Sequence, residues 1–152
     1  MLSCRSGLPA VAQESEGWPE ILCYTDGMSS EEIITHWRKG ARDAMDMARL
    51  ACDAGKFDHA LFNCQLAVEK ALKTLHMEKF GEDPPRTHNL SLLGKLLEID
   101  LKARERELLK ELSDFAVTAR YHDPRWSKEE ATRENAMRWI SDVSSFLSSH
   151  LP

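Results

Sequence analysis

The sequence predicts an all-α fold, an antiparallel bundle of four to five helices joined by short loops. From residue 29 onward, apolar residues recur at the three- and four-residue spacing of amphipathic helices. Helix-start and helix-stop residues divide this region into segments, and no stretch alternates as a strand would. With 152 residues, of which 42% are hydrophobic, the chain suits one domain with a substantial core.

Several glycines and prolines interrupt any helical spacing of apolar residues within the first 27 positions, so we predict a poorly ordered leader there. Residues 28–152 form the predicted helical domain. Because Met28 directly precedes a clean helix start, we expect the native chain to begin there and the leader to be an upstream extension. Mass spectrometry of the native protein that detects residues 1–27 would refute this.

The first helix is predicted to start at a capping box formed by Ser29 and Glu32 and to stop at Gly55. One apolar stripe follows its length: Ile33, Trp37, Ala41, Met45, Ala48 and Cys52. This stripe is expected to face the core.

The second helix, predicted from Phe57 to Phe80, shows the strongest periodicity in the chain. Its main stripe comprises Phe57, Leu61, Cys64, Val68, Ala71 and Leu75. Phe62, Leu66 and Met77 fall on the opposite side. A helix that is apolar on two faces either runs through the middle of a bundle or packs against another chain. The two alternatives carry about equal weight, and we favour a homodimer contact through Phe62 and Leu66.

The remaining helices follow a break at Pro84 and Pro85. A short third helix has the inner residues Leu90, Leu93, Leu96 and Leu97. A fourth is predicted near Ala103–Tyr121, with Leu108, Leu112, Phe115 and Ala119 inside. The fifth is predicted to start at a capping box of Ser127 and Glu130, after a loop through Asp123 and Pro124.

Composition narrows the classes of function. A formal net charge of -5 and a pI near 5.7 exclude global attraction to nucleic acid, so such a role needs a local basic patch. No apolar run is long enough to cross a bilayer, and the four cysteines form no C-x-x-C pair. We therefore predict a cytoplasmic protein with buried thiols. Zinc-protease, di-metal and phosphate-loop motifs are missing, so we predict no metal and no cofactor.

Arg120, Tyr121 and His122 place a cation, an aromatic ring and an imidazole at the end of the predicted fourth helix. These groups suit contacts to phosphate and base. The plainer alternative is structural: the two basic residues complement the helix dipole while Tyr121 fills a groove. The residues alone favour this structural alternative.

Lys70 and His88 are further candidates for contacts to a nucleotide. Lys70 adjoins an i, i+4 pair of Glu69 and Lys73, which a solvated helix face explains at least as well as a ligand site. His88 could orient a site, although packing of the loop that caps the third helix is the simpler interpretation. Trp37, Trp126 and Trp139 are expected to anchor the core or its edge.

Three segments together resemble the HEPN family (higher eukaryotes and prokaryotes nucleotide-binding domain): FDHALFNCQLAVEKALKTL, RTHNLSLL and ARYHD. The resemblance covers roughly residues 31–151. It implies an antiparallel helical bundle that commonly dimerises. Many members are metal-independent ribonucleases of toxin–antitoxin and defence systems, which use an Arg and a His separated by four to six residues near the end of a late helix.

This sequence departs from the ribonuclease pattern. Downstream of Arg120 the corresponding positions are Arg125, Trp126 and Ser127, and His122 comes too early. The chain therefore resembles members that lack the pair, for which the family implies nucleotide binding or pairing with a small nucleotidyltransferase. The missing pair favours a protein without catalytic activity, and catalysis is kept as the alternative.

The sequence thus predicts a non-catalytic, dimeric module that binds nucleotide or single-stranded RNA, with a small nucleotidyltransferase as its partner in a toxin–antitoxin or defence setting. Arg120 and Lys70 would contact phosphate, and Tyr121, His122 and His88 would border the pocket. One alternative is a degenerate ribonuclease that combines Arg120 with His122 or His88. Another is a pure protein-interaction subunit.

Overall fold

The computed structural model describes residues 27–119, 121 and 123–152, and its described part is helical without strands. The all-α prediction is confirmed. Six helices follow one another: α1 (Ser30–Asp53), α2 (Phe57–Phe80), α3 (Leu90–Leu97), α4 (Ala103–Thr118), α5 (Pro124–Glu130) and α6 (Arg133–His150). The predicted leader lies outside the described residues apart from Gly27.

Helices α1 and α2 form a hairpin that makes the most extensive helix–helix contact of the fold. The predicted capping box is present, because Ser29 Oγ accepts from the N–H of Glu32 at 3.2 Å and the Glu32 carboxylate accepts from the N–H of Ser29 at 2.7 Å. Gly55 turns the chain with φ 71°, a conformation that favours glycine. Local signals therefore fix both ends of α1.

The central helix is α2, which contacts α1, α3, α4 and α6. Its second apolar face is partly covered inside the chain: Met77 is buried, Leu66 packs against the core from a half-buried position, and Phe62 is half-buried. A central position in the bundle was one of the two alternatives for this helix. The contact of Phe62 and Leu66 with a second chain stays a prediction.

Helix α3 begins where predicted, with Asn89 as its cap: Asn89 Oδ1 accepts from the N–H of Leu92 at 2.9 Å. His88 lies in the loop that caps α3, and its side chain packs this loop against α2 through Glu69. Leu96 was expected inside but is 42% exposed. Helix α4 ends at Thr118, about one turn before the predicted end at Tyr121.

In the region after α4, the predicted start of the fifth helix is wrong. Asp123 and Pro124 start the short helix α5, in which the Asp123 carboxylate accepts from the N–H of Arg125 at 2.9 Å. Ser127 therefore lies within α5 and caps nothing. The last helix, α6, is capped by Thr132. An Asp followed by Pro strongly favours the start of a helix. Because these two residues were assigned to a loop, the predicted set of helices lacks one.

The core is shared by α1, α2, α3, α4 and α6. Trp139 is fully buried and meets Phe115 edge-on at 5.5 Å, while Trp126 packs on the other side of Phe115 at 5.3 Å from a half-buried position. Trp126 and Trp139 therefore act as anchors, as predicted, while the same role for the half-buried Trp37 stays a prediction. Cys52 and Cys64 are free and buried, and burial raises the pKa of Cys64 to about 12, which makes this thiol unreactive.

Candidate functional site

A group of four polar side chains, here called the polar cluster, lies within the bundle: Gln65, Glu69, Lys73 and His88. The Glu69 carboxylate is its centre. It accepts from Gln65 Nε2 at 2.8 Å, from Lys73 Nζ at 2.8 Å and pairs with His88 Nδ1 at 2.9 Å. The three residues on α2 are buried, and His88 is half-buried.

The helical repeat and one loop assemble this cluster. Gln65, Glu69 and Lys73 follow at steps of four along α2, so their side chains lie in one row. The chain then turns at Gly81 and returns through the two prolines, and this brings His88 back beside the middle of α2. The solvated-face interpretation of Glu69 and Lys73 is wrong, because both side chains are buried and the returning loop places His88 on Glu69.

Electrostatics favour the charged form of Glu69. Burial alone would raise the pKa of this carboxyl, but hydrogen bonds from Lys73 and His88, the positive charge of Lys73 and the bond from Gln65 together hold the pKa below its ordinary value. The cluster therefore contains a buried ion pair whose charges are satisfied by one another. Such an arrangement holds the loop against α2 but leaves little of the carboxylate for a ligand.

Lys70 lies outside the cluster even though it follows Glu69 in sequence. Its side chain runs along α1 at Gly40, where an added Cβ would come within 3.2 Å of Lys70 Nζ. Glycine at position 40 thus leaves the room that this lysine occupies between the two helices. The structure does not join Lys70 to His88 or to Tyr121 by any hydrogen bond among its described residues.

Tyr121 stands just beyond α4 with its side chain in solvent. The residue is 81% exposed, and its N–H donates to the carbonyl oxygen of Val117 at 3.1 Å. The alternative in which Tyr121 fills a groove is therefore wrong. Arg120 and His122, the other two members of the predicted phosphate and base site, lie outside the described residues.

The predicted site residues that the structure describes lie in three places: His88 at the polar cluster, Lys70 beside α1 at Gly40, and Tyr121 just beyond α4. The N–H of Leu90 donates to Ser113 Oγ at 3.0 Å, which sets the start of α3 beside α4. Tyr121 follows the end of α4 at Thr118. The side chain of His88 contacts Glu69 of the polar cluster, and the backbone of Tyr121 continues from the end of α4.

The family model of the HEPN domain matches residues 34–150. This chain belongs to the HEPN family. No curated protein and no solved structure gave a match. Family membership confirms the helical-bundle resemblance and identifies the chain as a nucleotide- or RNA-related module at the level of the family.

Within this HEPN domain, two further features bear on function. The described residues contain no group of three His, Cys, Asp or Glu side chains that could hold a metal ion. No helix among those residues has both the length and the apolar character that a membrane crossing requires. The burial of Glu69 and Lys73 was missed from the sequence, because an i, i+4 ion pair has the same spacing on a solvated face and in a core.

Proposed function

We propose that this HEPN domain binds nucleotide or single-stranded RNA without cleaving it, as a homodimer that partners a small nucleotidyltransferase of toxin–antitoxin or defence type. One observation carries the binding part: the ring of Tyr121 is 81% exposed at the end of α4. An aromatic side chain with most of its surface in water gains little stability from its position, whereas an exposed ring offers a face on which a base can stack.

The surrounding charges support contacts to phosphate. Arg120 and His122 flank Tyr121 in the sequence, and Arg125 and Lys128 follow in α5, both exposed. The intervening Asp123 is engaged as the cap of α5. A chain of net charge -5 would contact a polyanion through these cations, with Glu129 and Glu130 of the same helix as opposing charges.

Binding of a fluorescent single-stranded RNA and of ATP tests the proposal by anisotropy and calorimetry. Tyr121→Ala is expected to weaken binding about tenfold, since stacking contributes ~1–3 kcal/mol per base, and Tyr121→Phe is expected to retain the affinity. Val117→Ala is the matched control because it truncates another exposed side chain, one turn earlier on α4. Affinity should fall as salt is raised.

Several outcomes would contradict the binding proposal. Absence of measurable affinity for RNA and ATP, with and without the partner enzyme, would overturn it, as would equal losses in Tyr121→Ala and Val117→Ala. RNA cleavage in EDTA that disappears in both Arg120→Ala and His122→Ala would instead establish the ribonuclease alternative.

The dimer and the partner are separate parts of the proposal. The family commonly dimerises, and the half-buried Phe62 and Leu66 leave apolar surface on α2. Sedimentation velocity on the unmodified chain is expected to show a dimer at micromolar concentration, and a monomer throughout would remove this part. Co-purification with a nucleotidyltransferase tests the partner. If that association persists in Arg120→Ala while RNA binding is absent throughout, the chain is a pure interaction subunit.

A further inference from the structure

The C-terminal ends of α2, α3 and α6 meet around a cavity of about 300 Å³. This volume is the lower limit of the range of small-molecule sites, about 300–1,000 Å³. Neither Tyr121 nor any residue of the polar cluster contributes to its lining. Six residues line the cavity, here called the end pocket: Leu75, Glu78, Lys79, Leu97, Ile99 and His150.

Half of the lining is apolar. Leu97 is a buried member of the core, and Leu75 and Ile99 pack against the core from half-buried positions. A ligand that covers these side chains removes apolar surface from water, which favours binding in proportion to the area covered. The end pocket therefore favours a ligand with an apolar body over a small ion.

The two charged residues of the lining have opposite signs, and each has a partner. Lys79 Nζ donates to the carbonyl oxygen of Leu97 at 2.6 Å and lies 3.6 Å from the Glu98 carboxylate. Glu78 forms an ion pair with Arg38 of α1. A charged ligand would have to displace one of these partners or lie beside apolar side chains without a counter-charge. The end pocket therefore favours an uncharged ligand.

His150 offers the end pocket a hydrogen-bond acceptor. Its Nε2 lies 2.9 Å from Glu105 Oε1 on α4, and its ring packs against Phe146 with 4.7 Å between the ring centroids. An ionised carboxylate only accepts, so Nε2 carries the proton and Nδ1 of the neutral ring keeps a free lone pair. Among the residues that the structure describes, none donates to Nδ1, and the atom is open to solvent.

We propose that the end pocket binds a small uncharged phenol, whose hydroxyl donates to His150 Nδ1 while its ring covers the apolar side chains. Glu105 and Phe146 hold the imidazole in place before a ligand arrives, which lowers the entropy lost on binding. A phenol combines one strong donor with a rigid apolar body and carries no charge. The proposal is independent of the function proposed above, which rests on Tyr121.

An NMR titration of the full chain with 4-ethylphenol tests the site. Shift changes are expected around the ends of α2, α3 and α6, and the nitrogen signal of His150 Nδ1 should move as this atom accepts a hydrogen bond. Tyramine and 4-hydroxyphenylacetate add a positive and a negative charge to a similar molecule, and both should bind several-fold more weakly. No binding of 4-ethylphenol, or shifts centred elsewhere, would overturn the site. Equal or tighter binding of a charged probe would overturn the preference for an uncharged ligand.

The variant His150→Phe tests the hydrogen bond, because it keeps a ring against Phe146 but removes the acceptor. The measured quantity is the affinity for 4-ethylphenol divided by that for 4-ethylanisole, in which the hydroxyl is methylated. This ratio is expected to fall about fivefold in His150→Phe, as loss of one hydrogen bond predicts. His36→Phe, the same replacement at an exposed position outside the end pocket, should leave it unchanged. An unchanged ratio in His150→Phe, or equal falls in both variants, would overturn the proposed role of His150.

The variant Ile99→Ala tests the apolar contact. It should weaken binding of both ligands about threefold and leave their ratio unchanged, because it removes apolar surface from the lining and no acceptor. Ile34→Ala, the same truncation at a half-buried position outside the end pocket, should leave both affinities unchanged. Equal effects of the two truncations would overturn the placement of the ring. A loss of 4-ethylphenol binding in Tyr121→Ala would place the ligand at the end of α4, whereas failure of RNA binding would not affect this proposal.

Discussion

The polar cluster on α2 and the end of α4 both contain groups suited to nucleotide chemistry, but the fold buries most of the cluster and leaves the end of α4 exposed. Glu69 and Lys73 are 6% and 9% exposed and satisfy each other, whereas Tyr121 is 81% exposed. None of the residues of α5 is buried. The comparison indicates that the cluster holds the structure together, while the end of α4 has side chains available for a ligand.

The two regions differ physically in the free energy of folding that is lost when a side chain is removed. A buried charge that loses its partner stays desolvated and uncompensated, so its removal affects the whole fold. An exposed ring or cation is solvated with or without a partner, so its removal affects binding alone. Stability and binding measurements on the two regions should therefore respond in opposite ways.

The largest effect is expected for Glu69→Ala. Removal of this carboxylate leaves Lys73 buried without its partner, so the free energy of unfolding should fall by ~3–5 kcal/mol. Urea denaturation measures this. Asp43→Ala, which breaks the exposed pair with Lys39, is the control and should cost about 0.5 kcal/mol or less.

A double replacement sharpens this prediction. Glu69→Leu combined with Lys73→Met substitutes apolar groups for both charges and should recover most of the stability lost in Glu69→Ala. If the double variant is as unstable as the single one, the loss does not come from the unpaired lysine. In that case the bond from Glu69 to His88, which holds the loop, is the main contribution.

A smaller effect is expected from pH. The pKa of Glu69 in the folded chain lies below its ordinary value of 4.5. This carboxylate therefore contributes its full stability above about pH 4.5, and the contribution is lost as pH falls through the depressed pKa. Urea midpoints between pH 6 and pH 3, roughly the range in which carboxyls titrate, should fall less steeply in Glu69→Gln.

Some acid dependence should persist in Glu69→Gln. Glu105 has a lowered pKa as well: burial is the largest single influence and raises the pKa, but the N–H of Lys102, the contact with His150 and the charges of both residues together lower it more. Being near the surface, this group contributes less. An unchanged acid slope in Glu69→Gln would show that Glu69 is not the main source of the pH dependence.

The smallest effect on stability is expected for Tyr121→Ala. Its ring is exposed, so the free energy of unfolding should change by less than about 0.5 kcal/mol while binding of RNA falls. Thermal denaturation monitored by circular dichroism is the measurement. A loss above ~1 kcal/mol would place the ring in a structural contact and remove the contrast between the two regions.

Sequence patterns predicted α1, α2 and α3 closely because their ends are set by local chemistry. The capping box at Ser29, the left-handed turn at Gly55 and the Asn89 cap each act within a few residues. The start of α5 was equally local, at Asp123 and Pro124, but these two residues also fit a loop. The error lay in the choice between two local interpretations.

The candidate site was harder to predict. His88 and Lys70 were named from the sequence, but neither the bond from His88 to Glu69 nor the position of Lys70 over Gly40 follows from spacing. Both contacts join segments that lie far apart in the chain. The bond from Arg49 to Ser144, which joins α1 to α6, could not be predicted for the same reason, since the two residues are 95 positions apart in the sequence.

By itself, the sequence determined the all-helical class, the ends of the first three helices and the family, because periodicity, caps and motifs are properties of neighbouring residues. Tertiary structure alone decided which polar residues are buried and which are exposed. Burial depends on what other segments bring to a given face, and the same Glu–Lys spacing is compatible with water or with a core. Position in the bundle makes Glu69 part of the scaffold and leaves Tyr121 in solvent.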